Sequence, residues 1–176
     1  IDFRIEPELQ AKLDWMAAFV REECEPMDML FPGHGAPYDV TDTESRAYMA
    51  PLQEQVKAQG LWACHLGKEL GGPGHGQLTL ALMNEILGRC YWAPTVFGTA
   101  APDTGNSEIL AMFGTEEQKA RFLKPLMAGT IVSTFSMTEP QAGADPKEFT
   151  CRAWQDGDEW VIDGEKWFSS NARYAA

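Results

Sequence analysis

The residues best placed to do chemistry lie late in the chain, in FSMTEPQAGAD (135–145) and KWFSS (166–170). Successive side chains of a strand point to opposite faces. Phe135 and Met137 therefore fall on one side of the first segment, and Ser136 and Thr138 on the other. Such a strand offers backbone N–H and C=O groups and the Thr138 hydroxyl, a mixed set of donors and acceptors. In the second segment Phe168 supplies an aromatic face that excludes water and stacks on a flat ring. Trp167 takes that role if the register shifts by one residue, because a one-residue slip exchanges the two faces. Ser170 adds a hydroxyl donor. Gly143 permits close backbone approach. Of the carboxylates on helical stretches, Glu85 reads as a satisfied helix-face group rather than a catalytic one.

Metal chemistry is not expected. His34, His65 and His75 have no ligand spacing with one another or with Cys24, Cys64, Cys90 and Cys151, and no CxxC pair occurs. The four cysteines read as reduced thiols of a cytoplasmic-type protein.

The elements that must position these residues begin with helices. From Glu6 to Glu25, Leu9, Leu13, Met16 and Val20 line one helix face, and Pro26 is expected to stop that helix. Residues 31–41 are loop, rich in Pro and Gly. A second helix is predicted over Thr43–Gln59, with Tyr48, Met49, Leu52 and Val56 inward and Gly60 as its C′ glycine. The glycine-rich loop 66–76 leads to a buried helix through Leu78, Leu82, Met83, Ile86 and Leu87. Two shorter helices follow, one near Ser107–Phe113. The other starts at Thr115, which forms a capping box with Gln118, and runs to about Met127.

At Gly129 the character changes. Runs at 131–138, 149–154, 159–163 and 166–170 are rich in β-branched and aromatic residues, with Asp156-Gly157 and Asp163-Gly164 as hairpin turns. The expected fold is α+β: an all-α helical bundle domain (1–129), then the opening strands of an antiparallel β domain (130–176). Four strands with an abrupt end suggest a fragment.

With 44% hydrophobic residues, six Trp and nine Phe, the chain supports a real core. A net charge of −12 and a pI of about 4.6 disfavour nucleic-acid binding. No run of 18 apolar residues predicts a membrane span, and no secretory signal opens the chain.

FSMTEPQAGAD closely resembles the signature of the acyl-CoA dehydrogenase family, and DGEKWFSSNA (163–172) resembles its second element. GGPG (71–74), Asn84-Glu85 and residues 105–129 match further stretches in order, so the likeness covers roughly 60–176. It implies a helical domain, a middle β domain and a C-terminal helical domain, the last not present in this chain, with FAD between them. The implied reaction is α,β-dehydrogenation of an acyl-CoA thioester, with electrons passed to an electron-transfer flavoprotein. The catalytic glutamate base is expected beyond residue 176. FAD contacts are implied for Phe135, Met137, Thr138, Gly143, Phe168, Ser169 and Ser170, and acyl-CoA contacts for Ala144 and Thr104, with Asn106 beside the acyl cavity. Glu139 takes a structural place, capping the turn with Pro140.

The sequence departs from the family at Gln141, where the family has Gly, and at Ala144, where it has Ser. Phe168 stands for Trp and Ser170 for Thr. These changes read as a divergent branch that handles unusual or bulky acyl-CoAs. A homo-oligomer, dimer or tetramer, is implied, as is a mitochondrial-matrix location in a eukaryote. The alternatives are an acyl-CoA oxidase-like enzyme and a non-catalytic subunit of a heteromeric dehydrogenase. Retention of Thr138 and Ser170 weighs against the second. A same-fold flavoprotein that protects nucleic acid conflicts with the acidic charge.

Overall fold

The structure is a computed structural model that describes residues 4–176. Its first helix, α1 (Pro7–Phe19), starts on a proline, a residue tolerated where the N–H would be unsatisfied anyway. Pro26 does not stop the helical path. The chain widens into a single π-type turn, Val20–Cys24, and continues as α2 (Glu25–Leu30) with Pro26 in its first turn. A proline cannot donate the i→i−4 bond, and a wider turn accommodates the gap. The same device recurs near residue 120. There α7 (Glu116–Gln118) passes through a π turn at Lys119–Leu123 into α8 (Lys124–Ala128), with Pro125 in the first turn.

The caps follow the sequence signals. Asp42 accepts the N–H groups of Glu44 and Ser45 to open α3 (Thr43–Ala58). Gly60, at φ 68°, closes it: the Gly60 N–H reaches the Lys57 carbonyl and the Leu61 N–H the Val56 carbonyl. This two-bond pattern needs a residue in the left-handed region, which glycine enters without cost from a Cβ. The Thr115–Gln118 capping box forms in both directions.

Between these helices lie α4 (Gln77–Leu87), α5 (Ala93–Val96) and α6 (Asp103–Phe113). The core joins Leu13, Met16 and Val20 with Met49, Leu52 and Val56 of α3 and Met83, Ile86 and Leu87 of α4. Trp92 and Phe97 are fully buried at its centre. Of the expected core positions, Leu9 and Leu82 are half-buried and two are exposed. Tyr48 sits at the edge of its face, ring-to-edge with Phe31, and Leu78, in the first turn of α4, is 79% exposed. Periodicity marks a face but not how far the neighbouring elements extend over it.

The β half differs most from expectation. Only β1 (Arg152–Asp156) and β2 (Glu159–Asp163) form, as an antiparallel hairpin with Trp154 opposite Val161. Gly157 takes the positive φ that its two-residue loop requires. Residues 131–138 and 166–170 are not strands. The first segment has no ladder, because it meets the second through one backbone bond, from the Trp167 N–H to the Thr138 carbonyl (2.7 Å). Val132 makes a single bridge to Ala175. The second segment turns instead of extending, with Phe168 and Asn171 at positive φ. Asp163-Gly164 therefore joins β2 to a turn rather than to a strand.

Gly164 has a steric role. At φ 143° its Cβ position lies 2.6 Å from the Cys151 Cα, so a side chain would strike backbone. Gly164→Ala is expected to destabilise the fold by about 1–3 kcal/mol through combined strain and overlap. Urea unfolding followed by tryptophan fluorescence measures this; an unchanged midpoint contradicts the packing described.

The two halves are joined at α6. Asp103 accepts the Ser133 N–H (2.7 Å) and hydroxyl (2.6 Å), and Asn106 donates to Ser133 Oγ and to the Thr134 carbonyl. Burial raises the Asp103 pKa, and the two Ser133 bonds oppose that rise. Among the described residues, no helix is long and apolar enough to cross a membrane.

Candidate flavin-binding face and acyl cavity

Residues 135–139 and 166–170 form one surface. Besides the Trp167–Thr138 bond, Ser136 Oγ donates to Ser169 Oγ (2.7 Å), and Lys166 Nζ donates to the Met137 carbonyl (2.9 Å). Phe135, Met137, Trp167 and Phe168 are all exposed on these adjoining segments. Trp167 and Phe168 meet edge-on, with ring centroids 6.0 Å apart. Trp167 is also tied to Glu165 through its indole N–H. Four large apolar side chains left open on adjoining segments make this a candidate contact surface.

Polar groups lie within the same surface. The backbone N–H groups of residues 135–138 have no partner among the described residues. Thr134 Oγ1, one residue earlier, is buried without a hydrogen bond. Ser170 is exposed, and its hydroxyl makes only a long 3.5 Å contact to the Phe168 carbonyl. Gly143 packs against Thr138, where an added Cβ would sit 3.3 Å from Thr138 Cγ2. The face thus combines an apolar wall with unpaired donors, which fits a flat ring system with a polar edge such as the flavin of FAD. Ala144 is exposed in the turn beyond Gly143.

Glu139 organises this turn from within. Its side chain is 1% exposed. One carboxylate oxygen accepts the Cys151 N–H (3.0 Å) and the Lys166 ammonium (2.7 Å). The other accepts the Thr150 N–H (2.6 Å), the Thr150 hydroxyl and the Gln141 amide. Burial raises the carboxyl's pKa, but the Lys166, Thr150, Gln141 and Cys151 bonds outweigh it and bring it down to about 2. Glu139 is therefore a fixed anion and an acceptor, with no lone pair left for proton abstraction. Gln141, one of the departures noted above, also donates to the Glu148 carbonyl and the Thr150 hydroxyl. A glycine could make none of these side-chain bonds.

A second feature lies on the helical side. A cavity of about 690 Å³ is lined by Leu80, Asn84, Thr104 and Glu108, and an adjoining one of about 570 Å³ is walled by the glycine loop. Thr104 thus lines an open cavity, whereas Asn106 points to the Ser133–Thr134 junction. His65 borders both cavities. The Ser107 hydroxyl donates to the Thr104 carbonyl (2.8 Å), so His65 Nε2, 3.1 Å from Ser107 Oγ, must be the donor to it. Nδ1 is then a bare acceptor, buried and unpartnered. Burial lowers the His65 pKa to about 4.

A two-stage pH response follows. The folded pKa of His65 lies below its ordinary 6.5, so its contribution is complete above that value and is lost as pH falls from 6.5 to about 4. That of Glu139 is complete above 4.5 and is lost as pH falls toward 2. His65→Asn is expected to flatten the upper stage only, read as the urea midpoint against pH. An unchanged upper stage in that variant contradicts the assignment.

The Lys166–Glu139 pair, Gln141 as a bridge, and the His65–Ser107 contact were not legible in the sequence. Lys166 was visible in DGEKW, but nothing local showed what it reaches. No group of three or more His, Cys, Asp or Glu able to hold a metal ion occurs among the described residues.

Residues 6–130 match the profile of the acyl-CoA dehydrogenase N-terminal domain, and residues 134–176 match that of the acyl-CoA dehydrogenase middle domain. "Acyl-CoA dehydrogenase family member 11" of Pongo abelii is 46% identical over 122 residues, covering 69% of this chain and 15% of that protein. "Acyl-CoA dehydrogenase family member 10" of Mus musculus is 34% identical over 172 residues, covering 94% of this chain and 16% of that protein. The chain thus spans about a sixth of the length of these curated relatives. A solved structure of a putative acyl-CoA dehydrogenase from Mycobacterium abscessus superposes with a TM-score of 0.78 at 31% identity, covering 95% of this chain and 43% of that one.

Proposed function

This chain belongs to the acyl-CoA dehydrogenase family, and on that premise we propose that it forms the flavin-holding side of an FAD-dependent α,β-dehydrogenase acting on an acyl-CoA thioester. The observation that carries the reading is the joining of 135–138 to 166–170 in one face with apolar side chains and unpaired donors. When bound, FAD supplies the acceptor for the hydride leaving the substrate's β-carbon.

This chain's residues bind and orient. The N–H groups of residues 135–138 and the Thr138 hydroxyl offer hydrogen bonds to the polar edge of the ring system. Phe168, 78% exposed, offers an aromatic face that excludes water on one side, with Trp167 edge-on to it and Phe135 and Met137 exposed on the adjoining segment. Gly143 lets the backbone approach. Ser169 and Ser170 add hydroxyls, that of Ser170 nearly unengaged. Thr104 borders the space for the acyl chain, and the Ala144 backbone N–H serves the CoA portion.

The family resemblance implies a glutamate base beyond residue 176; of this chain's carboxylates, Glu139 is committed to five donors and Glu85 is exposed on α4. The electrons pass to an electron-transfer flavoprotein, and the working unit is a homo-oligomer. The test is anaerobic addition of an acyl-CoA panel to the full-length holoprotein, followed by electron-transfer flavoprotein or oxygen. Bleaching by one acyl-CoA and reoxidation by the flavoprotein support the reading. Reoxidation by oxygen alone makes it an oxidase. Absence of bleaching with every acyl-CoA overturns it.

A further inference from the structure

We propose that Lys166 is a positioning residue for the flavin: its ammonium acts as a side-chain rung that fixes the register of 135–139 against 166–170. The inference rests on the flavin reading above. Two strands normally keep their register through a ladder of backbone bonds, and a slip of one residue exchanges the faces they present. Here a single backbone bond joins the two segments, from the Trp167 N–H to the Thr138 carbonyl. One bond leaves the segments free to pivot about it.

The Lys166 ammonium removes that freedom. It donates to the Met137 carbonyl at 2.9 Å and to Glu139 Oε1 at 2.7 Å, so it grips the first segment on both sides of Thr138. It also lies 4.4 Å from the centroid of the Phe149 ring, a cation–π contact that holds it from a third direction. The lysine side chain is only 26% exposed and its carboxylate partner 1%, so solvent screens the pair weakly. Glu139 is in turn held by Thr150, Cys151 and Gln141, so the rung is anchored to a rigid turn rather than to a mobile side chain. Ser136–Ser169 is the only other side-chain tie between the segments, and it is an exposed pair of hydroxyls.

The exposed aromatics follow Lys166 directly. Trp167 and Phe168 are the next two residues, and Phe168 is held at φ 55°. Which of them faces the ring system therefore depends on where Lys166 is pinned. Charge alone would not serve: both contacts need a donor that reaches a carbonyl and a carboxylate two residues apart.

The test uses full-length protein stripped of FAD and retitrated with FAD, following flavin fluorescence, the visible spectrum and the reduction potential of the bound flavin. Lys166→Met leaves Glu139 buried without its cation, so Glu139→Gln/Lys166→Met is measured beside it: it removes both charges, although the introduced amide can accept on only one of the two sides the carboxylate serves. Both variants are expected to bind FAD at least about 10-fold more weakly, the loss one charge-assisted hydrogen bond produces, with an altered spectrum and potential. The double variant is expected to do so while melting above Lys166→Met, because it buries no uncompensated charge. Lys166→Arg restores the cation and is expected to recover most of the affinity. A double variant with wild-type affinity, spectrum and potential overturns the proposal. Wild-type protein that takes up no FAD overturns the flavin reading itself, a separate result.

Discussion

Glu139→Ala is expected to release residues 131–176 from their fold while the helical domain stays intact. The carboxylate is the single acceptor that gathers Thr150, Cys151, Gln141 and Lys166 from three separate stretches of chain. Alanine would leave the Thr150 and Cys151 N–H groups and the ammonium without their acceptor. Breaking one partner of a buried charge pair costs far more than the pair itself contributes, because the other charge stays desolvated. FAD affinity of the full-length variant is expected to fall on the order of 100-fold. Limited proteolysis should cut within 131–176 first and leave the helical core, held by Met16, Met49, Met83 and Trp92, resistant. Wild-type resistance together with wild-type FAD affinity would show that the turn holds without its anion.

Trp92→Ala is expected to have the largest effect on global stability, a loss of about 3–5 kcal/mol. The indole is fully buried, contacts Phe31 with centroids 5.8 Å apart, and donates its N–H to the Phe31 carbonyl at 3.2 Å. It therefore ties the loop after α2 to the centre of the core. Truncation opens a cavity between rigid helices and leaves that carbonyl unpaired. A drop in melting temperature on the order of 10 °C follows for a protein of this size class. Calorimetry of the variant measures it, and a drop of only a degree or two would mean that the core repacks around the gap.

The helical half was legible in the sequence because its signals are local. Gly60 closes α3, and Thr115 with Gln118 opens α7; each acts within a few residues of itself. Pro26 misled because proline forbids one hydrogen bond, not the whole helix, and a π turn absorbs the defect. The β half was less legible. The β-branched run at 131–138 has strand propensity, yet propensity supplies no partner, and here the partner segment turns at Phe168. The site has the same character. The motif FSMTE and the aromatic pair could be located by type and order. Glu139's structural place was implied by the resemblance, but its partners could not be read, because apart from Gln141 they lie 11, 12 and 27 residues away.

The departures from the family pattern have unequal consequences. Gln141 is built into the turn by its amide, which contacts Glu139, the Glu148 carbonyl and Thr150. Ala144, exposed, brings no side-chain bond to that turn. Its departure leaves the hydrogen bonds of the turn unchanged.

The central claim, that the face formed by 135–138 and 166–170 holds a flavin, is tested most directly by the visible absorbance spectrum of the purified full-length protein, before and after addition of FAD. Flavin bands present on purification, or appearing with a stoichiometry of about one per chain after addition and weakened by Phe168→Ala, are the predicted result. A colourless protein that takes up no added FAD would contradict it.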